Sequence, residues 1–122
     1  GLKALMECTQ VPIERLSAYH IGFVIGPCIN ASGRLDTAKR ALELLEVKNR
    51  REAVMMAEDL KALNDSRKEM TEKGVEQAVE QIETTDLKED RVLVVYLQDC
   101  HESIAGIIAG RLKENIISRC LF

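Results

Sequence analysis

Two short stretches of the chain carry side chains able to hold a phosphate group. The first is "NASGR", Asn30 to Arg34, lying in front of a helical run that begins near Asp36. Read as a tight polar turn, it uses Gly33 to bend the backbone at positive φ and Asn30 to brace the turn through its amide, while Arg34 offers a planar fork to phosphate oxygens. The start of the next helix would add unpaired amide donors. The same residues also suit a plain capped turn in which Arg34 pairs with a nearby carboxylate such as Asp36.

The second stretch is "QDCHESIAGIIAGRLKE", in which His101 falls between an expected strand and an expected helix. Such a junction is where open α/β sheets bind ligands, and the amides there favour anions. Gly106 and Gly110, four residues apart, would let a neighbouring backbone or a phosphate chain come close. The alternative is that both glycines serve helix packing and that His101 is a surface cap.

Neither stretch defines a reaction. Hydrolysis of a phosphodiester by two metal ions needs clustered Asp and His ligands, whereas this chain has two histidines, His20 and His101, and no DxD or paired-His motif. No catalytic residue and no metal ligand set is therefore expected within it. Cys8, Cys28, Cys100 and Cys120 lack the close pairs that zinc sites use and read as free thiols in a reducing compartment.

The 122 residues have room for one modest core or two partial ones. A net charge of -3 argues against a general nucleic-acid coat, so any polyanion contact must be local. With no Trp and only Tyr19, Phe23, Tyr96 and Phe122 as aromatic rings, a base-stacking surface is not expected. No apolar run approaches the roughly 18 residues of a membrane span, and no signal core follows a basic start, so a cytoplasmic location without membrane contact is expected.

The elements that must position the two stretches follow from periodicity. Leu2, Leu5 and Met6 sit at helical spacing before Pro12. Asp36 or Thr37 would cap a helix whose apolar face holds Ala38, Ala41, Leu42, Leu44 and Leu45. From Arg50 to about Thr84 apolar residues recur at three and four residue steps, which predicts one helix of some 35 residues, about 50 Å long. Gly74 weakens it by about 1 kcal/mol relative to alanine. "RVLVVYL" then reads as a buried strand, residues 103–114 as a helix, and "IISRCLF" as the start of a second strand, together a right-handed βαβ unit.

The order of these segments, "IGFVIGPCINASGRL", a helix containing "LKALNDSRKEM", then "VLVVYLQDCHESIAGIIAGRLKE", resembles the RecJ family of single-strand-specific exonucleases in the DHH phosphoesterase superfamily. The resemblance implies an α/β fold, mostly helical as present: residues 1–49 as the tail of a DHH domain, 50–86 as a long connecting helix and linker, and 87–122 as the truncated start of a DHH-associated substrate-binding domain. It implies an internal fragment whose parent uses manganese or magnesium, held upstream by the missing N-terminal DHH domain, to degrade single-stranded DNA from the five-prime end in repair and recombination. No metal is expected on this piece, which is expected to be inactive alone.

Residue by residue, the resemblance carries phosphate or strand-end binding onto Asn30, Gly33, Arg34, His101, Gly106 and Arg111. Many relatives have Trp before this His and Pro-Gly after it, where this chain has Cys100, Glu102 and Ser103. Asn64 and Arg67 read as packing, and Tyr19 and His20 as structural. Other readings are a noncatalytic nucleic-acid-binding module, a helical module that forms homo-oligomers through exposed apolar surface, and another DHH-family phosphodiesterase.

Overall fold

The computed structural model describes residues 1–120, without the side chains of Lys88 and of residues 117–120. It divides into two compact units, Gly1–Arg67 and Lys68–Phe122. Helices are α1 (Leu2–Cys8), α2 (Ala18–His20), α3 (Gly26–Leu35), α4 (Lys39–Glu46), α5 (Arg50–Thr84) and α6 (Glu102–Cys120). A π-helical turn, Ile21–Ile25, joins α2 to α3, and single 3-10 turns lie at Ile13–Arg15 and Asp86–Glu89.

In the first unit Leu5, Ile25, Cys28, Leu44, Ala57 and Leu60 are buried in one cluster, so α1, α3, α4 and the first part of α5 share a core. Full burial of a leucine of this kind stabilises by about 1.5–3 kcal/mol. The segment from Ala18 to Leu35 is a continuous helical rod, with α-region backbone through both joints at His20 and Ile25. The extra residue of the π turn requires a glycine where the α pitch resumes. A Cβ at Gly26 would stand 2.7 Å from the carbonyl oxygen of Ile21. Asn64 on α5, buried, accepts a hydrogen bond on Oδ1 from Arg67 Nε at 3.1 Å, which satisfies the polar break of the long helix.

In the second unit Ile104 and Ile108 of α6 are buried with Ala78 and Ile82 of α5. The expected strand Arg91–Leu97 is not one: no strand occurs among the described residues. Its burial nevertheless alternates. Leu93, Val95 and Leu97 are half-buried while Val92, Val94 and Tyr96 are 75–78% exposed, the period of an extended chain lying on a helical layer. Gln81 Nε2 donates to the Tyr96 carbonyl at 2.8 Å and holds that layer together.

The expectation of an α/β βαβ unit is corrected accordingly. A ladder needs a partner, and the segment expected to supply it, "IISRCLF", continues α6 through Cys120, with Leu121 and Phe122 outside the described residues. Without a second strand, Ile116 lines an apolar hollow of about 520 Å³ with Leu93, Val95, Leu112 and Ile82.

Candidate nucleic-acid interface

The "NASGR" stretch is not a turn before a helix; it is the C-terminal half of α3. Cys28, Ala31 and Ser32 are buried at helical spacing, and Ser32 Oγ donates to the Ile29 carbonyl at 2.9 Å, so packing of the rod overrides the turn preference of Asn and Gly. Gly33 has no positive φ, and a Cβ there would make only ordinary contact with the Ala38 Cβ at 3.7 Å. Its expected role in bending the backbone is thus overturned.

Asn30, Gly33 and Arg34 are exposed and stand at i, i+3 and i+4, which puts them on one face of α3. Arg34 lies in the last turn, where a cation complements the carbonyl end of the helix. Ala38, at the cap position of α4, lies against Gly33, so the start of α4 borders this face. That start has no side-chain cap, and Asp36 in front of it pairs with Arg40 Nε at 2.8 Å.

His101 is where the alternative reading put it. Its Nδ1 accepts the Ser103 backbone N–H at 3.2 Å and lies 2.7 Å from Ser103 Oγ, while the His101 carbonyl accepts the Ile104 N–H at 3.1 Å. The imidazole therefore caps α6, using the donor an anion would have taken. Glu102 adds a negative charge in the first turn.

A Cβ at Gly106 or Gly110 would meet nothing within 4 Å, and both glycines are exposed. At about 100° per residue, Gly106 and Gly110 share a side of α6, but Arg111 stands about 140° from Gly106. The second group of expected site residues is thus not gathered on one surface of α6.

The structure brings forward two residues that the sequence reading left aside. Tyr19 and Phe23, one turn apart on the rod, stack with ring centroids 5.0 Å apart and planes inclined by 26°, and are 63% and 71% exposed. His20 meets Tyr19 edge-on at 5.8 Å, and its Nδ1 is held by the Ser17 backbone N–H at 3.2 Å. The i, i+4 spacing of the rings was the available signal. Both rings lie on the rod that also carries Asn30 and Arg34, and all four residues are exposed.

For the divalent metals that the resemblance implies, the residues do not fit: no group of three or more His, Cys, Asp or Glu able to hold a metal ion comes together among the described residues. Cys8 and Cys100 are free cysteines, and the Cys28 thiol donates to the Val24 carbonyl at 3.3 Å. No helix among the described residues is long and apolar enough to cross a membrane.

No protein-family model matches the chain. Curated relatives do. The single-stranded-DNA-specific exonuclease RecJ of Escherichia coli is 37% identical, that of Salmonella typhimurium 36% and that of Dickeya dadantii 37%, each over 93% of this chain. The match occupies 20% of each of these relatives, so the chain spans about a fifth of their length. Over nearly all of its own length, then, this chain is a RecJ-like sequence, the counterpart of one segment of those exonucleases.

Proposed function

We propose that the chain is the strand-positioning part of a single-stranded-DNA exonuclease of RecJ type, acting from the five-prime end in DNA repair and recombination. The similarity to RecJ along 93% of the chain carries this reading. The exposed face of α3 supports it, because Asn30 and Arg34 at i and i+4 offer an amide and a guanidinium to one backbone phosphate, with Gly33 leaving space between them. In a protein of net charge -3, such a local cation is what a polyanion contact requires.

Cleavage itself is assigned to residues outside this chain, where manganese or magnesium would be held. The chain's own part is to fix the phosphodiester in position, and orientation of this kind lowers a barrier without any group on the chain reacting. His101 contributes through the start of α6, and Arg111 as a separate cation on that helix.

The test measures manganese-dependent release of nucleotides from single-stranded DNA labelled at the five-prime end. The 122-residue chain is compared with a form extended upstream, each with and without Arg34→Ala. Activity confined to the extended form, and lowered at least tenfold by the substitution, is the expected result; tenfold corresponds to about 1.4 kcal/mol. Metal-dependent cleavage by the short chain, or an inactive extended form, would overturn the reading.

A further inference from the structure

We infer that the stacked Tyr19 and Phe23 rings form a nucleobase platform for the single strand whose phosphates lie along the Asn30 and Arg34 face. The inference rests on the proposed function and adds to it the part of the strand that is not phosphate.

Two large rings exposed by 63% and 71% are costly to leave in water, and they are not splayed apart but held face to face at 26°. Stacking them on each other leaves the outer face of the pair open, the shape that a flat base covers. The platform is also built rather than loose. His20 abuts Tyr19 edge-on and is tied to Ser17, and Phe23 sits within the π turn that Gly26 permits. A π turn of this sort redirects side chains and recurs at functional positions.

Position on the rod links the rings to the phosphate face. Phe23 and Arg34 are eleven residues apart on one helical segment, roughly 16 Å at 1.5 Å per residue, and both face away from the core. A strand running along the rod would meet rings at one end and the guanidinium at the other. Charge points to the same division of labour. A chain of net charge -3 gains little from a long electrostatic footprint, so base stacking must supply affinity that counterion release does not. Stacking reads no hydrogen-bond code, so the platform accepts any base.

The experiment is fluorescence anisotropy with an end-labelled oligothymidylate and an abasic oligonucleotide of equal length, using the 122-residue chain. The chain is expected to prefer the base-bearing strand by at least fivefold, and Phe23→Ala or Tyr19→Ala to abolish that preference while Phe23→Trp keeps it. Tyr96→Phe leaves Tyr19 as the only tyrosine. Its fluorescence should then be quenched by oligothymidylate and not by the abasic strand. Circular dichroism melts check that the exposed-ring variants stay folded.

Arg34→Ala should weaken both strands equally, which separates the two readings. If the chain binds both strands, Arg34→Ala weakens both, and the ring variants change nothing, the platform is wrong and the phosphate face stands. If the ring variants instead lower the mass seen by light scattering with no effect on DNA, the rings contact protein and the inference fails. Binding of neither strand overturns the inference and the phosphate face together.

Discussion

The Ile108 side chain of α6 occupies the space directly over Gly74, the one position in α5 that has no side chain. A Cβ on residue 74 would run into Ile108 Cδ1 and lie 3.3 Å from its Cγ1. Ile108 is 2% exposed and borders the apolar hollow, so its end can swing away only by leaving its packed position for that hollow. Gly74 therefore gives up about 1 kcal/mol of helix propensity to let α6 approach. Overpacking costs about 1–3 kcal/mol, which exceeds the propensity gain. Gly74→Ala is expected to lower stability by about 1 kcal/mol in urea unfolding, and Gly74→Val by more. In a double-mutant cycle, Ile108→Ala should remove the penalty of Gly74→Ala; an additive cycle would show that the contact is not the reason for the glycine.

His101 is expected to matter for folding of the second unit before it matters for any ligand. Its Nδ1 serves the Ser103 amide at the α6 start. His101→Ala should cost about 1 kcal/mol of stability, the usual loss of an N-cap, while His101→Asn or His101→Asp should restore it. Thermal unfolding followed by circular dichroism checks this. Rescue by Asp separates the two roles: a carboxylate caps a helix as well as an amide does but repels a phosphate, so a variant stable yet weak in DNA binding would add an anion contact to the cap.

Much of the helical framework was legible in the sequence, because it rests on local periodicity. The 35-residue helix Arg50–Thr84 appears with the predicted ends, since its apolar residues keep three and four residue steps through the polar break that Asn64 and Arg67 satisfy between themselves. What failed depended on partners distant in sequence. Asn30 and Gly33 carry turn propensity, yet Cys28, Ala31 and Ser32 fasten that segment to the core as helix. "RVLVVYL" kept the alternation of a strand but found no ladder, and "IISRC", equally rich in β-branched residues, followed α6. Tyr19 and Phe23 were visible as residues; their mutual stacking and exposure were not, because the π turn that sets them has no simple sequence signature.

Cys8 gives a pH dependence whose sign can be worked out. Burial, more than any nearby charge, pushes its thiol pKa up, with Lys61 opposing and Glu58 and Asp65 assisting. Its Sγ lies 3.5 Å from the Ala57 carbonyl, placed to donate to it. A raised pKa in the folded state means that the unfolded chain loses this proton first. The contribution to stability is complete below the ordinary thiol pKa of about 8.5 and declines as pH rises through the folded value. Stability measured from pH 7 to 10 should therefore fall less steeply in Cys8→Ser than in the unaltered chain. In the folded protein Cys8 should also react with a disulfide reagent at pH 8 more slowly than it does in denaturant. Equal rates in the two states would contradict the shift.

The extended run Arg91–Leu97 leaves its outer side uncovered, and this predicts how the isolated chain behaves at high concentration. Val92, Val94 and Tyr96 point outward, and residues 92–97 contain no proline, glycine or charge to blunt an edge. The expected partner is a second copy. In an antiparallel pairing centred on Val95, Val94 meets Tyr96 and Arg91 faces Asp99 across both ends, so apolar residues and opposite charges match under the same two-fold axis. Light scattering should show a mass that grows with concentration. Val94→Lys should reduce that growth without changing the melting temperature, because Val94 is 78% exposed and makes no core contact to lose. Arg91→Asp should weaken the pairing through like charges at Asp99, and adding Asp99→Arg should restore it. Failure of this charge swap, with Val94→Lys still effective, would mean that the edge pairs in another register; a concentration-independent monomer mass would mean that the edge does not pair at all.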